Sequence, residues 1–308
     1  MSFSTALRDE FPQKILKFNE PMAAHTTFKT GGPADNMLLP ATEAQLISGL
    51  RLARKFNAPV TVIGRGSNLL VTEGGIEGLT VKLGDNFAGV TLDEGLISAV
   101  SGTALTACAN FAMENSLTGL EFASGIPGSI GGGACMNAGA YGGQMSDVIK
   151  SVKVLDPNTL ETQVLLSEEL DYGYRQSYML KTGLVVLKVG MCLKMGSTEA
   201  IKQTMEELNR RRREKQPLNY PSAGSTFKRP EGYFAGALIE AAGLKGTSVG
   251  GAQVSIKHAG FIINTGSATP NDIIGLIRLV RQRVYDKSGV TLEPEVRIIG
   301  RGSNGILG

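Results

Sequence analysis

Between Gly125 and Gly143, eight of nineteen residues are glycine: Gly-Ile-Pro-Gly-Ser-Ile-Gly-Gly-Gly-Ala-Cys-Met-Asn-Ala-Gly-Ala-Tyr-Gly-Gly. Glycine loses more backbone freedom on folding than any other residue. A chain that orders such a run must gain from bare backbone, in tight turns or in close approach to a ligand. A shorter motif, Gly64-Arg65-Gly66-Ser67-Asn68-Leu69, follows the apolar run Val60–Ile63. Successive main-chain N–H groups in such loops converge on anionic oxygens without any basic side chain. Two of these loops, each placed after a strand, suit one pyrophosphate. The 40 glycines show no G-X-Y period, which excludes a collagen-like chain.

With 308 residues the chain is long enough for two domains and a substantial core. Hydrophobic residues at 42% exclude a disordered chain. A net charge of +3 is no nucleic-acid footprint, which needs basic residues massed on one face. Cys108, Cys135 and Cys192 are odd in number and form no C-x-x-C pair, so a reducing compartment is expected. Met1–Glu10 lacks the apolar core of a signal peptide. The most apolar stretch, Leu184–Leu193, is interrupted by Lys188, so no membrane segment is expected. The expected location is cytoplasmic. Two histidines and scattered cysteines give no metal-ligand spacing, and no metal is expected.

The elements follow from periodicity and punctuation. Thr42-Glu-Ala-Gln45 reads as a capping box before a helix bearing Leu46, Ile47, Leu50 and Ala53. Val60–Ile63, Leu79–Leu83 and Ile97–Ser101 read as strands, and Ala104–Asn115 as a helix. Val148–Asp156 and Glu161–Leu166 flank a hairpin turn at Asp156-Pro157-Asn158, and Leu184–Met195 reads as one long strand. The charged helix Thr198–Lys215 is a natural bridge between domains. Beyond it, Tyr233–Ala242 reads as a helix, Ala259–Asn264 as a strand and Thr291–Ile299 as extended. Thr269-Pro270 supplies an N-cap and a first-turn proline, with Ile273, Ile277, Val280 and Val284 on one face. Strands and helices do not alternate strictly, so the expected class is α+β.

Several motifs fail on context. Gly300, Gly302 and Gly305 match G-x-G-x-x-G, but three residues from the chain end they open no helix. Gly246-Thr-Ser-Val-Gly250 matches a nucleophile elbow, yet an apolar helical stretch precedes it where a strand is required. Ile63–Asn68 recurs letter for letter as Ile299–Asn304, but six residues with unmatched flanks do not establish a duplication. The basic run Arg210–Lys215 is read mainly as a solvated helix end, with Lys215 equally a candidate phosphate ligand.

Taken together, certain segments resemble one family. These are Thr26–Asp35, Gly64–Leu69, Ser124-Gly125-Ile126-Pro127-Gly128-Ser129-Ile130-Gly131-Gly132 and Asn137-Ala138-Gly139-Ala140-Tyr141-Gly142. Tyr174-Arg175-Gln176-Ser177, Gly224-Ser225-Thr226-Phe227-Lys228-Arg229-Pro230 and Leu292–Arg297 belong with them. In order, from about residue 20 to 300, they resemble the UDP-N-acetylenolpyruvoylglucosamine reductases, in their compact branch. That branch lacks an insert whose tyrosine covers the substrate.

The resemblance implies a two-lobed FAD-binding fold of the PCMH type followed by a substrate domain of the MurB C-terminal type. The implied division is an N-terminal segment 1–29, a flavin-binding domain 30–195 and a substrate domain 196–308. It implies non-covalent FAD held by Gly64, Arg65, Gly66, Ser67, Asn68, Leu69, Ser124, Gly125, Ile126, Pro127, Gly128, Gly131, Gly132, Asn137, Ala138 and Gly139. NADPH is the implied hydride donor, and the enolpyruvyl group of a UDP-sugar the acceptor, in peptidoglycan synthesis. Arg175 and Glu295 are expected to attend the substrate carboxylate, and Ser225 to deliver a proton, with Lys228 a candidate proton partner. Lys215, Lys228 and Arg229 are the expected substrate ligands. Two other readings remain: a flavin oxidase of the same fold, with Cys135 able to carry a covalent link, and a non-catalytic nucleotide- or sugar-binding regulator.

Overall fold

The computed structural model describes residues 1–307. Its helices and strands follow no strict alternation, and its largest sheet is antiparallel, which makes the chain α+β. Internal contacts divide it into two compact units. One comprises Met1–Lys17, Asn36–Arg65 and Gly78–Arg212; the other comprises Phe18–Asp35, Gly66–Glu77 and Arg213 onward. The chain passes from the first to the second for the last time inside the helix Thr198–Lys215.

In the first unit, five antiparallel strands lie in the order Thr162–Leu166, Ile149–Leu155, Val185–Cys192, Leu96–Val100, Val90–Asp93. The outer hairpin turns at Asp156, whose Oδ1 accepts from the Asn158 N–H at 2.7 Å, a local bond that favours the turn. Helices Leu105–Glu114 and Ile130–Cys135 contribute Leu105, Cys108, Ala112, Ile130 and Ala134 to a core shared with Ile97, Val152, Val154, Val189 and Met191. Burial pushes the Cys108 thiol up to about 12, so it behaves as a small apolar side chain. The expected single strand Leu184–Met195 is two. Cys192 opposite Leu96 is the last pair of the sheet, and Lys194–Met195 then pairs with Leu117–Thr118.

The same unit contains a parallel pairing of Val60–Ile63 with Leu79–Lys82, which leaves Gly64 at a strand's C-terminal end. Helix Glu43–Lys55 buries Leu46, Leu50 and Ala53. Thr42 caps it as expected, accepting from the Gln45 N–H at 3.2 Å. Gln45, however, reaches back to the Ala41 N–H rather than to Thr42, so the reciprocal half of the box is displaced by one residue.

The second unit is organised by helix Pro270–Ser288. Thr269 and Asp272 close a reciprocal capping box, Pro270 opens the helix, and Gly289 at φ 68° ends it. Ile273, Ile277, Val280 and Val284 are wholly buried, among Ile239, Ala252, Val254, Ile262 and Leu292. Each such aliphatic side chain contributes about 1.5–3 kcal/mol. Strands Ser248–Val249, Ala252–Val254 and Ile262–Asn264 form one small sheet, and Leu69–Val71 pairs in parallel with Arg297–Ile299. Ser248 opens a two-residue strand with no helix after it, so no nucleophile elbow forms. Among the described residues no helix is long and apolar enough to cross a membrane.

Candidate active site

In the first unit the two glycine motifs meet. A Cβ on Gly64 would strike Ser129 Oγ, which brings the first motif directly against the start of the second. The N–H groups of Gly64, Arg65, Gly125, Gly128 and Ser129 bond to no other protein group among the described residues. They are the open donors that an anion requires. Arg65 pairs through Nη2 with Asp85, while its Nε is buried without a partner. Ile126 and Ala138 pack against the core, and Pro127 leads into Gly128 at φ 148°.

Not all of the glycine run is loop. Residues Ile130–Cys135 form a short helix capped by Ser129. Its first N–H groups are consumed: Ile130 donates to Thr103 O at 2.7 Å, Gly131 to Ser101 O at 2.9 Å and Gly132 to Ser129 Oγ at 3.3 Å. The main-chain donors of Gly131 and Gly132 are therefore closed to a ligand, a correction to the loop reading. These glycines permit close packing instead. A Cβ on Gly131 would strike Ser101 Oγ, and one on Gly133 would lie 3.1 Å from Leu105 Cδ2.

The end of the run is tied to a second segment. Asn137, buried and at φ 43°, donates to Gly173 O at 3.1 Å and accepts from the Ser146 N–H at 2.9 Å. Its amide is committed to holding the backbone. Gly173 and Gln176 bond to each other, presenting Tyr174 and Arg175 at the tip of a tight turn. Arg175 adopts φ 56°, uncommon for a side-chain-bearing residue and suggestive of an enforced position. Its guanidinium donates to Asn137 O at 3.2 Å and Gly139 O at 3.5 Å, and lies 5.0 Å from the Tyr174 ring. Ser177, wholly buried, anchors the turn by donating to Cys135 O at 2.7 Å.

In the second unit, Gly66 at φ 67° lies against the His25 carbonyl, which a Cβ would strike. Thr27 ties down Gly66 O and Ser67 O. Asn68 Nδ2 donates to Glu295 O at 3.0 Å, and Leu69 starts the strand beside Arg297. The segment carrying Ser225 completes the arrangement. The Glu295 N–H donates to Thr226 O at 2.8 Å, Lys228 N–H to Glu293 O at 2.8 Å, and Phe227 faces Pro294. Buried Thr226 is held from the other side by Gly260 O and Ile262 N–H. Ser225 is exposed and Glu295 half-buried on neighbouring segments.

Lys228 is ion-paired with Glu293, so its amine is engaged there rather than with Ser225. Arg229 lies 4.0 Å from the Phe234 ring and donates to Tyr233 O at 3.3 Å. Lys215 is exposed at the end of its helix.

Sequence reasoning missed Arg212 and Asn209. Asn209 Nδ2 donates to Ser124 Oγ at 3.2 Å, and Arg212 lies beside Gly125. The signal was present as helical spacing from buried Ile201 and Met205 to 209 and 212, but it was hidden by the run of four arginines. The three cysteines form no disulfide.

Comparison with known proteins places this geometry. Residues 216–299 match the family described as UDP-N-acetylenolpyruvoylglucosamine reductase, C-terminal domain, and residues 34–161 match an FAD binding domain family. A protein of Clostridium botulinum named UDP-N-acetylenolpyruvoylglucosamine reductase is 51% identical over 306 residues, covering 98% of each chain. One of the same name from Caldanaerobacter subterraneus subsp. tengcongensis is 49% identical, over 96% of this chain and 97% of its own. The crystal structure of that reductase from Thermus caldophilus superimposes with a TM-score of 0.77 at 35% identity, covering 92% of this chain and 97% of that one. With glycine loops, capped helices and paired segments all in sequence order across nearly the whole length, the chain belongs to the UDP-N-acetylenolpyruvoylglucosamine reductase family.

Proposed function

We propose that this chain is a cytoplasmic, NADPH-dependent flavoenzyme. It reduces the enolpyruvyl group of UDP-N-acetyl-3-O-(1-carboxyvinyl)-glucosamine to give UDP-N-acetylmuramate for peptidoglycan. Non-covalent FAD, when bound, supplies the hydride relay between NADPH and the enolpyruvyl double bond. The residues present fit that group: open N–H donors at Gly64, Arg65, Gly125, Gly128 and Ser129, beside cradles that a Cβ would fill. Residues 30–195 are assigned to flavin binding and 196–308 to substrate, after an N-terminal segment 1–29.

Hydride addition at the methylene carbon leaves negative charge spread into the substrate carboxylate. Arg175, stiffened by its turn and its two carbonyl contacts, and Glu295 attend that carboxylate. The Arg175 guanidinium, a donor fixed before the charge develops, stabilises it without reorganisation. Ser225 then delivers a proton to the adjacent carbon. Lys215 and Arg229 bind the diphosphate, and Lys228, drawn to Glu293, shapes the Ser225 segment. One observation supports this reading most. Within a single unit, Asn68 of a glycine loop bonds to Glu295 O while Glu295 N–H bonds to the residue after Ser225.

Half-reactions test these roles. Ser225→Ala should keep its flavin and its reduction by NADPH, yet lose about 10²–10⁴ in the rate of reoxidation by substrate. Ser225→Cys should retain more, since a thiol still donates a proton. Wild-type reoxidation by Ser225→Ala would remove Ser225 from the mechanism. Glu295→Ala and Arg175→Ala should also spare the NADPH half-reaction, and equal damage to both halves would reassign them to flavin binding or folding.

A further inference from the structure

Within the second unit, the turn Gly66-Ser67-Asn68 is open on one side and clamped on the other. Its three main-chain N–H groups bond to no protein acceptor among the described residues. Its three carbonyls are all engaged. The Thr27 N–H donates to Gly66 O at 3.2 Å, the Thr27 hydroxyl to Ser67 O at 3.4 Å, and the Arg297 N–H to Asn68 O at 3.0 Å. Asn68 adds a side-chain bond, donating through Nδ2 to Glu295 O at 3.0 Å. Just after it, Leu69–Val71 pairs in parallel with Arg297–Ile299.

The clamp ends on the residue assigned to the substrate carboxylate. Both main-chain groups of Glu295 are fixed, its carbonyl by Asn68 and its N–H by Thr226 O at 2.8 Å. The Thr226 end is set by the core. Thr226 is buried, donates its N–H to Gly260 O at 2.8 Å and accepts at Oγ1 from the Ile262 N–H at 3.0 Å. The Asn68 end hangs instead on a half-buried turn that passes through left-handed Gly66, at φ 67°. An anion accepted by the open N–H groups of this turn orders the Asn68 backbone, and with it the amide that holds Glu295.

We infer that Asn68 is a positioning residue that couples two ligand sites: flavin bound on its main chain fixes Glu295 for the substrate through its side chain. The inference rests on the proposed function, which puts flavin on the glycine loops and the substrate carboxylate at Glu295. Coupling between sites is reciprocal, so the UDP-sugar tightens FAD by the factor with which FAD tightens the UDP-sugar. A segment already ordered by one ligand loses less freedom when the second binds.

The test is the dissociation constant of FAD, measured on the holoenzyme by dilution and the return of free-flavin fluorescence. It is taken with and without saturating UDP-N-acetylmuramate, the product, so that no turnover intervenes. In the wild type the product should tighten FAD by about tenfold, within the roughly 5–150-fold range of coupled sites. Asn68→Asp keeps the shape but removes the donor, and Asn68→Ala removes the amide. Both should abolish the effect of product, whatever they do to FAD affinity alone. Asn68→Ala carries the test should Asn68→Asp fail to fold. The same change in the second copy of the motif, Asn304→Asp, should leave the wild-type ratio intact.

A wild-type ratio retained in folded Asn68→Ala overturns the inference, because flavin and product would then couple by direct contact. So does an equal loss in Asn304→Asp, which would make the effect one of general stability. A wild-type chain that binds neither FAD nor product would sink the functional reading itself. One that binds both, each indifferent to the other, would sink only this inference.

Discussion

Ile63–Asn68 and Ile299–Asn304 are identical in sequence, and each leaves the end of a strand. In both, the second glycine is left-handed, at φ 67° for Gly66 and 74° for Gly302. There the likeness ends. In the first copy the N–H groups of Gly64 to Asn68 bond to no protein acceptor among the described residues, and Gly66 lies hard against the His25 carbonyl. In the second the donors are partly engaged: Arg301 N–H donates to Gly75 O at 2.8 Å and Ser303 N–H to Gly300 O at 3.2 Å, and the Arg301 carbonyl accepts from Thr72 Oγ1 at 2.9 Å. The Arg301 guanidinium bonds to Gly74 O and Asp35, and a Cβ on Gly302 would meet open space. One copy is a cradle and the other a clasp. Local sequence sets the turn, and neighbours decide whether its donors stay open.

The comparison breaks most sharply at the second glycine. Gly66→Ala adds a steric conflict with backbone to a left-handed strain of about 1–2 kcal/mol, and should lose both flavin and thermal stability. Gly302→Ala should show only the strain, with full flavin content by absorbance. Equal flavin loss in the two would mean that the second copy is no mere clasp. Gly128→Asp, carrying a charged side chain into a φ of 148° beside open donors, should fold but purify without flavin. A yellow Gly128→Asp protein would move the pyrophosphate elsewhere.

A smaller effect is expected from Arg301→Ala, which should lower the melting temperature while leaving flavin affinity unchanged. The smallest concerns His258, whose pKa burial holds below the ordinary histidine value. The folded chain binds fewer protons there than the unfolded one. Its share of stability is therefore present above about pH 6.5 and lost as pH falls through the depressed folded value. Replacing His258 with Asn should flatten the melting temperature between pH 7 and 5, and an unaltered profile would assign that slope to other groups.

Legibility in the sequence followed the range of the interactions. Helix Pro270–Ser288 was readable at its start and along its buried face because cap, proline and periodicity are all local. The hairpin at Asp156 was readable for the same reason. The helix inside the glycine run was not, because Ile130 and Gly131 are held by Thr103 and Ser101, nearly thirty residues away. Arg175, Ser225 and Glu295 carry no local mark. They were found only through resemblance, and the bond from Glu295 N–H to Thr226 O spans a separation that no periodicity reveals. Arg212 was misjudged with its neighbours because a run of four like charges looks solvated, while helical geometry turns one in four inward.

The central claim is a hydride relay ending on the enolpyruvyl carbon, and an anaerobic titration in deuterated water tests it most directly. The purified protein should be yellow, bleach on one equivalent of NADPH, and regain its colour on addition of the enolpyruvyl UDP-sugar. The product should be the saturated lactyl ether, with solvent deuterium at the carbon that bears the carboxylate. A protein that bleaches with NADPH but regains its colour only with oxygen, leaving the enolpyruvyl sugar unchanged, would contradict the account and make the chain an oxidase.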